Sequence, residues 1–245
     1  MSINFKKLLL RADQAGYADK ILGLDLANLI GYWPLWEPSG LVADNYQGIA
    51  ARDGSYTGVT LGQAGIGDGR TCPYFEGVND YVDVYSDSLR DAFSADNGTI
   101  MAWAKVSGAV WIDDQLRWVF IIGADNNNRI QLVKTGVDGS NKFAWLYKAG
   151  GTKKEVSEAI TPTDWFHVAF TWDTAADEAK AYYNGAQIGD TLTGLGAWVG
   201  NLASGFCYIG SFASAPNYIW SGWLAHPAVW TVTFEEETIA IAKEI

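Results

Sequence analysis

The chain has 245 residues, 49 % of them hydrophobic and 18 % charged, which suits one large β-sandwich, is short for two full domains and lies far from the disordered class. Its 12 Trp, 12 Tyr and 10 Phe favour a pleated, half-buried surface, and its 27 Gly supply turns. A formal net charge of −11 sets the surface against phosphate backbones and anionic lipid, so the expected partners exclude nucleic acid and membrane insertion.

The first 29 residues read as two short amphipathic helices. Leu8, Leu9, Ala12 and Ala15, then Ile21, Leu22, Leu24, Leu26, Leu29 and Ile30, recur at helical spacing, interrupted at Gly16 and Gly23. They serve either as a cap on the domain that follows or as a docking segment for a partner or a neighbouring subunit. The apolar run Leu8-Leu9-Leu10 stops at Arg11, too short for a secretory core, and no stretch reaches the roughly 20 apolar residues of a membrane span. The expectation is synthesis in a cytoplasm, with any release by lysis or a dedicated route.

From Ile30 to Ile245 the pattern is that of short strands and turns. Leu29–Trp36 is a strand, and Pro34 suggests that it lies at an edge. Residues 37–72 read as loops with one strand near Tyr56–Leu61. Pro73–Glu76 and Tyr81–Tyr85 flank a turn at Gly77–Asp80, and a helical turn covers Ser88–Phe93. Strands follow at Thr99–Val106, Arg117–Gly123, Arg129–Lys134 and Lys142–Lys148, with turns at Asp125–Asn128 and Asp138–Asn141. A weak strand at Thr152–Ser157 precedes strong ones at Trp165–Asp173 and Lys180–Tyr183. Asn184-Gly185 is the clearest hairpin signal, because both residues tolerate the positive φ of a type I′ turn. Phe206–Ser211 and Gly222–Val232 are the last strands, and turn signals recur at the spacing of a sandwich or jelly roll. The end reads as a helix with Thr233 as N-cap and Glu236 completing a capping box. Cys72 and Cys207 stand in no metal-binding pattern and are expected as two buried thiols, with a disulfide as the alternative.

Several of these segments carry a resemblance. YFEGVNDYVDV (74–84), GTIMAWAKV (98–106), DWFHVAFTWD (164–173) with AYYNGAQIG (181–189), and CYIGS (207–211) with the closing WSGWLAHPAVWTVTFEEETIA (220–240) occur in order. Together they resemble the motifs of laminin G-like domains of the concanavalin A-like lectin/glucanase superfamily. The resemblance covers roughly residues 30–245. It implies an all-β, two-sheet antiparallel jelly-roll sandwich, in a class that is usually non-catalytic. Such domains occur in bacterial extracellular proteins and in bacteriophage virion proteins, where they bind glycans or pack on neighbours.

Some members of that superfamily hydrolyse β-glucans with an E-x-D-x-x-E strand. No such string is present: Asp80-Tyr81-Val82-Asp83 lacks the glutamates, Asp113-Asp114 falls in a loop, and Glu235–Glu237 belongs to the terminal helix. No catalytic residue is therefore expected, and no enzyme. His167 resembles the family's core histidine, and His226 stands alone with no nucleophile elbow beside it. The glycines of 62–69 open no helix and form a loop rather than a phosphate cradle. Many relatives bind calcium, but here Ala225 and His226 replace the closing acidic residue. Asp44, Asn45 and Asp80, the remaining candidates, are expected to brace turns, so no metal or other cofactor is expected.

Trp103, Trp165, Trp172 and Trp230 alternate within strands and are expected in the core. Trp111, Trp198, Tyr218 and Trp220 fall in or beside loops and are the candidate ligand-binding residues, either stacking on sugar rings or folding back on the sandwich. The leading expectation is a non-enzymatic lectin-like structural or adhesion module of a virion or other extracellular assembly. The expected partners are glycans or neighbouring protein subunits, with a homo-oligomer as one expected arrangement. A free glycan-binding lectin is the second expectation, and a divergent glycosidase a remote third.

Overall fold

Alternation of inward and outward side chains builds two antiparallel eight-stranded sheets. The computed structural model describes residues 16–136, 141–212 and 218–245. Sheet A runs in the order β14 (Ala186–Leu192), β13 (Glu178–Tyr183), β12 (Phe166–Asp173), β7 (Asn97–Lys105), β16 (Ser221–Trp230), β5 (Thr71–Glu76), β4 (Thr60–Ala64). β1 (Leu29–Tyr32) also pairs with β16, and with that strand alone, as Pro34 suggested. Sheet B runs β11 (Thr152–Ala159), β10 (Lys142–Ala149), β9 (Asn128–Thr135), β8 (Arg117–Asp125), β15 (Tyr208–Ile209), β6 (Tyr81–Asp83), β3 (Gly54–Thr57), β2 (Val42–Ala43). The expected all-β, two-sheet antiparallel sandwich is the one observed.

Between the sheets, Ile100, Ala102 and Ala104 of β7 and Phe166, Val168, Phe170 and Trp172 of β12 meet Phe120 and Ile122 of β8 and Phe143, Trp145 and Tyr147 of β10. The opposite faces of β7, β12 and β16 carry a second core, made of Met101, Trp103, Ala169, Ala225, Ala228 and Trp230. It is closed by α1 (Tyr17–Leu24) and by the terminal helix (Glu236–Ala242). Tyr17 Oη donates to the Ala242 carbonyl at 2.6 Å and accepts from Trp103 Nε1 at 2.7 Å, so one phenol ties both helices to the sheet. The first of the two expected N-terminal helices, and most of the turn at Asp138–Asn141, lie outside the described residues.

Several segments differ from expectation for identifiable reasons. β5 and β6 flank the Gly77–Asp80 turn but do not pair; the turn carries the chain from sheet A to sheet B. Residues 37–72 hold β2, β3 and β4 rather than one strand, each pinned by ladder bonds to β3, β6 or β5 and not by apolar alternation. The capping box does not form. Thr233 Oγ1 donates to the Trp172 carbonyl at 2.7 Å, and Glu235 is the N-cap residue, its side chain making no cap bond. Two short helices, α2 (Asp87–Ala92) and α3 (Gly108–Trp111), are capped by Ser86 and Ser107. The terminal helix is α4. Asn184 and Gly185 have φ of 49° and 86° and close a two-residue hairpin between β13 and β14. Cys72 and Cys207 are free and buried, one in each sheet region.

Candidate functional site

Among the described residues no helix crosses the outer face of the β8–β11 half of sheet B, and its register arranges side chains in rows. Trp118, Val133, Ala144 and Ser157 lie opposite one another on β8, β9, β10 and β11. The next row is Ile121, Gln131, Leu146 and Glu155, and the third is Arg129, Lys148 and Lys153. All of these but Ile121 and Ala144 line a groove of about 620 Å³, bounded also by Leu116, Thr135, Lys142 and Gly151.

Gln131 organises the groove floor. Its Oε1 accepts from Trp118 Nε1 at 3.2 Å and from Arg129 Nε at 3.0 Å. Arg129 also donates through Nη1 to the Asn126 carbonyl, and its guanidinium lies 5.8 Å from the Phe212 ring centre. Trp118 packs against Phe212 and Tyr218 at 5.0 and 5.2 Å, and Tyr218 is 50 % exposed where Trp118 is 6 %. The groove thus has an indole in its floor, an exposed phenol packed against that indole, and amide, hydroxyl and charged groups along its length. Lys153 and Glu155 form an ion pair of 2.8 Å within it.

The four aromatic residues singled out from sequence are not brought together. Tyr218 alone stands beside the groove. Trp220 has no exposed surface and fills the space between the sheets, with its Nε1 unpartnered, so its indole meets no ligand. Trp111 is 6 % exposed, its ring 6.2 Å from Phe166. Trp198 is half-buried against Phe93 and Tyr147 and donates to the Gly200 carbonyl at 3.0 Å. Trp111 and Trp220 are therefore corrected from candidate ligand contacts to core residues: each continues an apolar surface that the flanking strands present. The residues missed were Trp118, Arg129, Gln131, Lys148 and Lys153. A usable signal existed, since polar groups stand at the alternate positions Lys153, Glu155 and Ser157 and at Arg129, Gln131 and Thr135, where Val133 interrupts them.

His226 does not stand alone. A bulge between Ala225 and Ala228 holds it at φ 54° and turns its ring into the second core. Asp68 Oδ2 accepts from Nε2 at 3.1 Å, which leaves Nδ1 to accept from Tyr32 Oη at 2.7 Å. Burial of Asp68 raises its pKa, but the bond and charge of His226 outweigh this and hold it below the ordinary carboxylate value. Burial depresses His226, against the opposing pull of Asp68. His226 and Asp68 side chains are 1 % and 4 % exposed, so the chain braces the 65–70 loop and cannot meet a substrate. The other acidic candidate, Asp113, receives Arg117 Nη2 at 2.5 Å and Lys134 Nζ at 2.9 Å. Burial raises its pKa, but those two donors hold it below the ordinary value.

The calcium candidates make bonds within their own turns and loops. Asn45 Oδ1 accepts from the Gln47 amide at 3.0 Å, Asp80 Oδ2 accepts from the Glu76 amide, and the Asp44 amide donates to Glu37. At the closing motif, His226 is locked between Tyr32 and Asp68. Among the described residues no group of three His, Cys, Asp or Glu side chains is placed to hold a metal.

Fold and groove define a lectin-like antiparallel sandwich. The chain belongs to the concanavalin A-like lectin/glucanases superfamily, through its laminin G-type family model, which matches residues 55–240. No curated protein matches it in sequence. Among solved structures it is similar to the Trypanosoma rangeli sialidase in complex with 2,3-difluorosialic acid, at 14 % identity and a TM-score of 0.65 over 89 % of this chain and 33 % of that one. It is also similar to the botulinum neurotoxin serotype D binding domain, at 15 % identity and a TM-score of 0.63 over 88 % of this chain and 51 % of that one. A third likeness is the binding domain of Paraclostridial Mosquitocidal Protein 1, at 14 % identity and a TM-score of 0.63 over 87 % and 51 %. The chain spans about a third of the sialidase and about half of each toxin domain. At these identities the likeness is one of fold.

Proposed function

We propose that this chain is a non-catalytic, lectin-like adhesion or structural module that binds glycans in the groove on sheet B, as part of a virion or other extracellular assembly. The observation that carries the reading is the groove itself. An open trough of about 620 Å³ offers hydrogen-bonding side chains row by row, and the half-exposed ring of Tyr218 packs on the Trp118 indole of its floor. Sugars present many hydroxyls and one apolar ring face, and a trough with amides, charges and a phenol matches both. The toxin domains among the structural likenesses are described as binding domains, which is consistent with a binding role for this sandwich.

The test is a glycan array with the intact chain, followed by Tyr218→Ala and Gln131→Ala at conditions where both variants are folded. Loss of binding in both supports the groove. Silence of the intact chain at high concentration removes the glycan reading. A flat reducing-sugar assay across the glycans that bind supports a non-catalytic role, and sugar release overturns it. For the assembly part, light scattering compares the full chain with one starting at Gly16. A cut after residue 29 would remove Ile21, which is fully buried in the second core, and would confound folding with assembly.

A further inference from the structure

We propose that Arg129, Lys148 and Lys153 form an anion subsite in the groove, so that its glycan is acidic and carries carboxylate or sulfate groups. This rests on the reading of the groove as a glycan site. Lys148 on β10 lies directly opposite Arg129 on β9 and directly opposite Lys153 on β11. Like charges placed opposite one another on neighbouring strands repel and weaken a sheet. Strands are about 4.8 Å apart, so the row places three cations within about 10 Å across the sheet.

Composition does not account for this row. The chain has 17 basic and 28 acidic residues, yet the charged residues lining the groove are Arg129, Lys142, Lys148 and Lys153 against Glu155 alone. The neighbouring carboxylates, Glu155 and Asp125, offset only part of the charge of Arg129, Lys142, Lys148 and Lys153. Glu155 pairs with Lys153, and Asp125 Oδ1 accepts from the Asn127 amide and Asn128 Nδ2. Arg129 donates to two neutral acceptors, Gln131 Oε1 and the Asn126 carbonyl, which fix its plane, while the charge of Asp125 acts on it without a hydrogen bond. Lys148 forms no ion pair among the described residues. An anionic ligand laid across the row relieves the repulsion among its cations, whereas a neutral sugar does not. Arg129, held flat by Gln131, suits a planar carboxylate or a sulfate edge, and Lys148 and Lys153 act as point charges.

The experiment measures binding of the full chain to dextran, carboxymethyl-dextran and dextran sulfate at low and at high salt. The expected result is affinity for the charged polymers about tenfold or more above that for dextran, the size of one charge-assisted contact, and a fall with salt. The two charged arms separate carboxylate from sulfate. Lys148→Gln is expected to lose about tenfold of that affinity. Its thermal midpoint should hold or rise, because one repelling charge is gone; a lysine with only a packing role would give the reverse. Lys180→Gln, on β13 of the other sheet, controls for net charge. Equal affinity for neutral and charged polymers overturns the anion subsite and leaves the glycan reading standing. Equal loss in the Lys148 and Lys180 variants overturns it as well. Failure of all three polymers, together with a silent array, overturns both.

Discussion

His167 lies on β12 with its ring on the outer side of sheet A, fully buried against Trp103 at 5.3 Å, and its Nε2 is 3.4 Å from Met101 Sδ. Its Nδ1 has no hydrogen-bond partner among the described residues. Burial penalises the imidazolium, and the charge of Lys243 adds to the penalty, so the pKa is pushed down to about 3. In the unfolded chain it returns to about 6.5. A folded pKa below the unfolded one means that the unfolded chain binds the extra proton. The stability is therefore fully present above about pH 6.5 and is lost as pH falls towards 3. At pH 5 the loss is about 2 kcal/mol, from 1.5 pH units at about 1.4 kcal/mol each. For a chain of this length that lowers the melting temperature by about 4–8 °C. His226, also depressed by burial, acts in the same direction. Asp80 and Asp83, raised by burial, act oppositely. The assay is thermal melting between pH 8 and 5 for the wild-type chain and for His167→Gln. Comparing slopes removes any constant cost of the substitution. The variant should be flatter by about 2 kcal/mol over that range; parallel curves would refute the assignment of the acid sensitivity to His167.

Other substitutions separate core from groove. Trp220→Ala, which empties a fully buried site between the sheets, should cost about 3–5 kcal/mol in denaturant unfolding and leave glycan affinity intact well below the melting point. Asp113→Asn removes the carboxylate that faces the fully buried Lys134 and also binds Arg117. It should destabilise by about 3 kcal/mol in the same assay, because a buried ammonium loses its counter-charge. Both thiols, pushed up to about 12 by burial, should react with a thiol reagent only after unfolding, and reductant should not shift the melting temperature.

The strands that could be read from sequence are those whose two faces differ in a simple way or whose turns have a single chemistry. Asn184-Gly185 is such a turn, and Thr99–Val106 and Trp165–Asp173 are long apolar runs that became central strands of sheet A. Where sequence failed, a distant partner decided the local structure. β2 and β4 carry little apolar alternation and exist because β3 and β5 offer ladder bonds. Thr233 has the right spacing for a capping box, but the Trp172 carbonyl, 61 residues away, takes its hydroxyl. Trp220 resembled an exposed loop residue because Ser214–Tyr218 precede it; only the closure of the sandwich decides that its ring points inward.

The location of the groove follows from how differently the two outer faces are treated. On sheet A, Met101, Trp103, Ala169 and Trp230 point outward and would expose a large apolar surface, so α1, α4 and the loop braced by Asp68 and His226 must cover it. The amphipathic pattern near the N-terminus and the lone His226 are two signs of that one requirement. On sheet B, Val133, Ala144 and Leu146 also point outward, but polar neighbours in the same rows shield them: each is nearly buried, with no helix above it among the described residues. Shielding by Arg129, Gln131, Lys148 and Glu155 leaves backbone-fixed polar groups in rows, which is the surface a flat, hydroxyl-rich ligand can use. Inward and outward tryptophans both alternate along strands, so alternation alone could not separate Trp118, in the groove floor, from Trp172, in the core. The residues beside them on the neighbouring strands separate the two. Gln131 is bonded to the Trp118 indole across the β8–β9 ladder, whereas Trp172 lies among Phe170, Phe93 and the facing sheet.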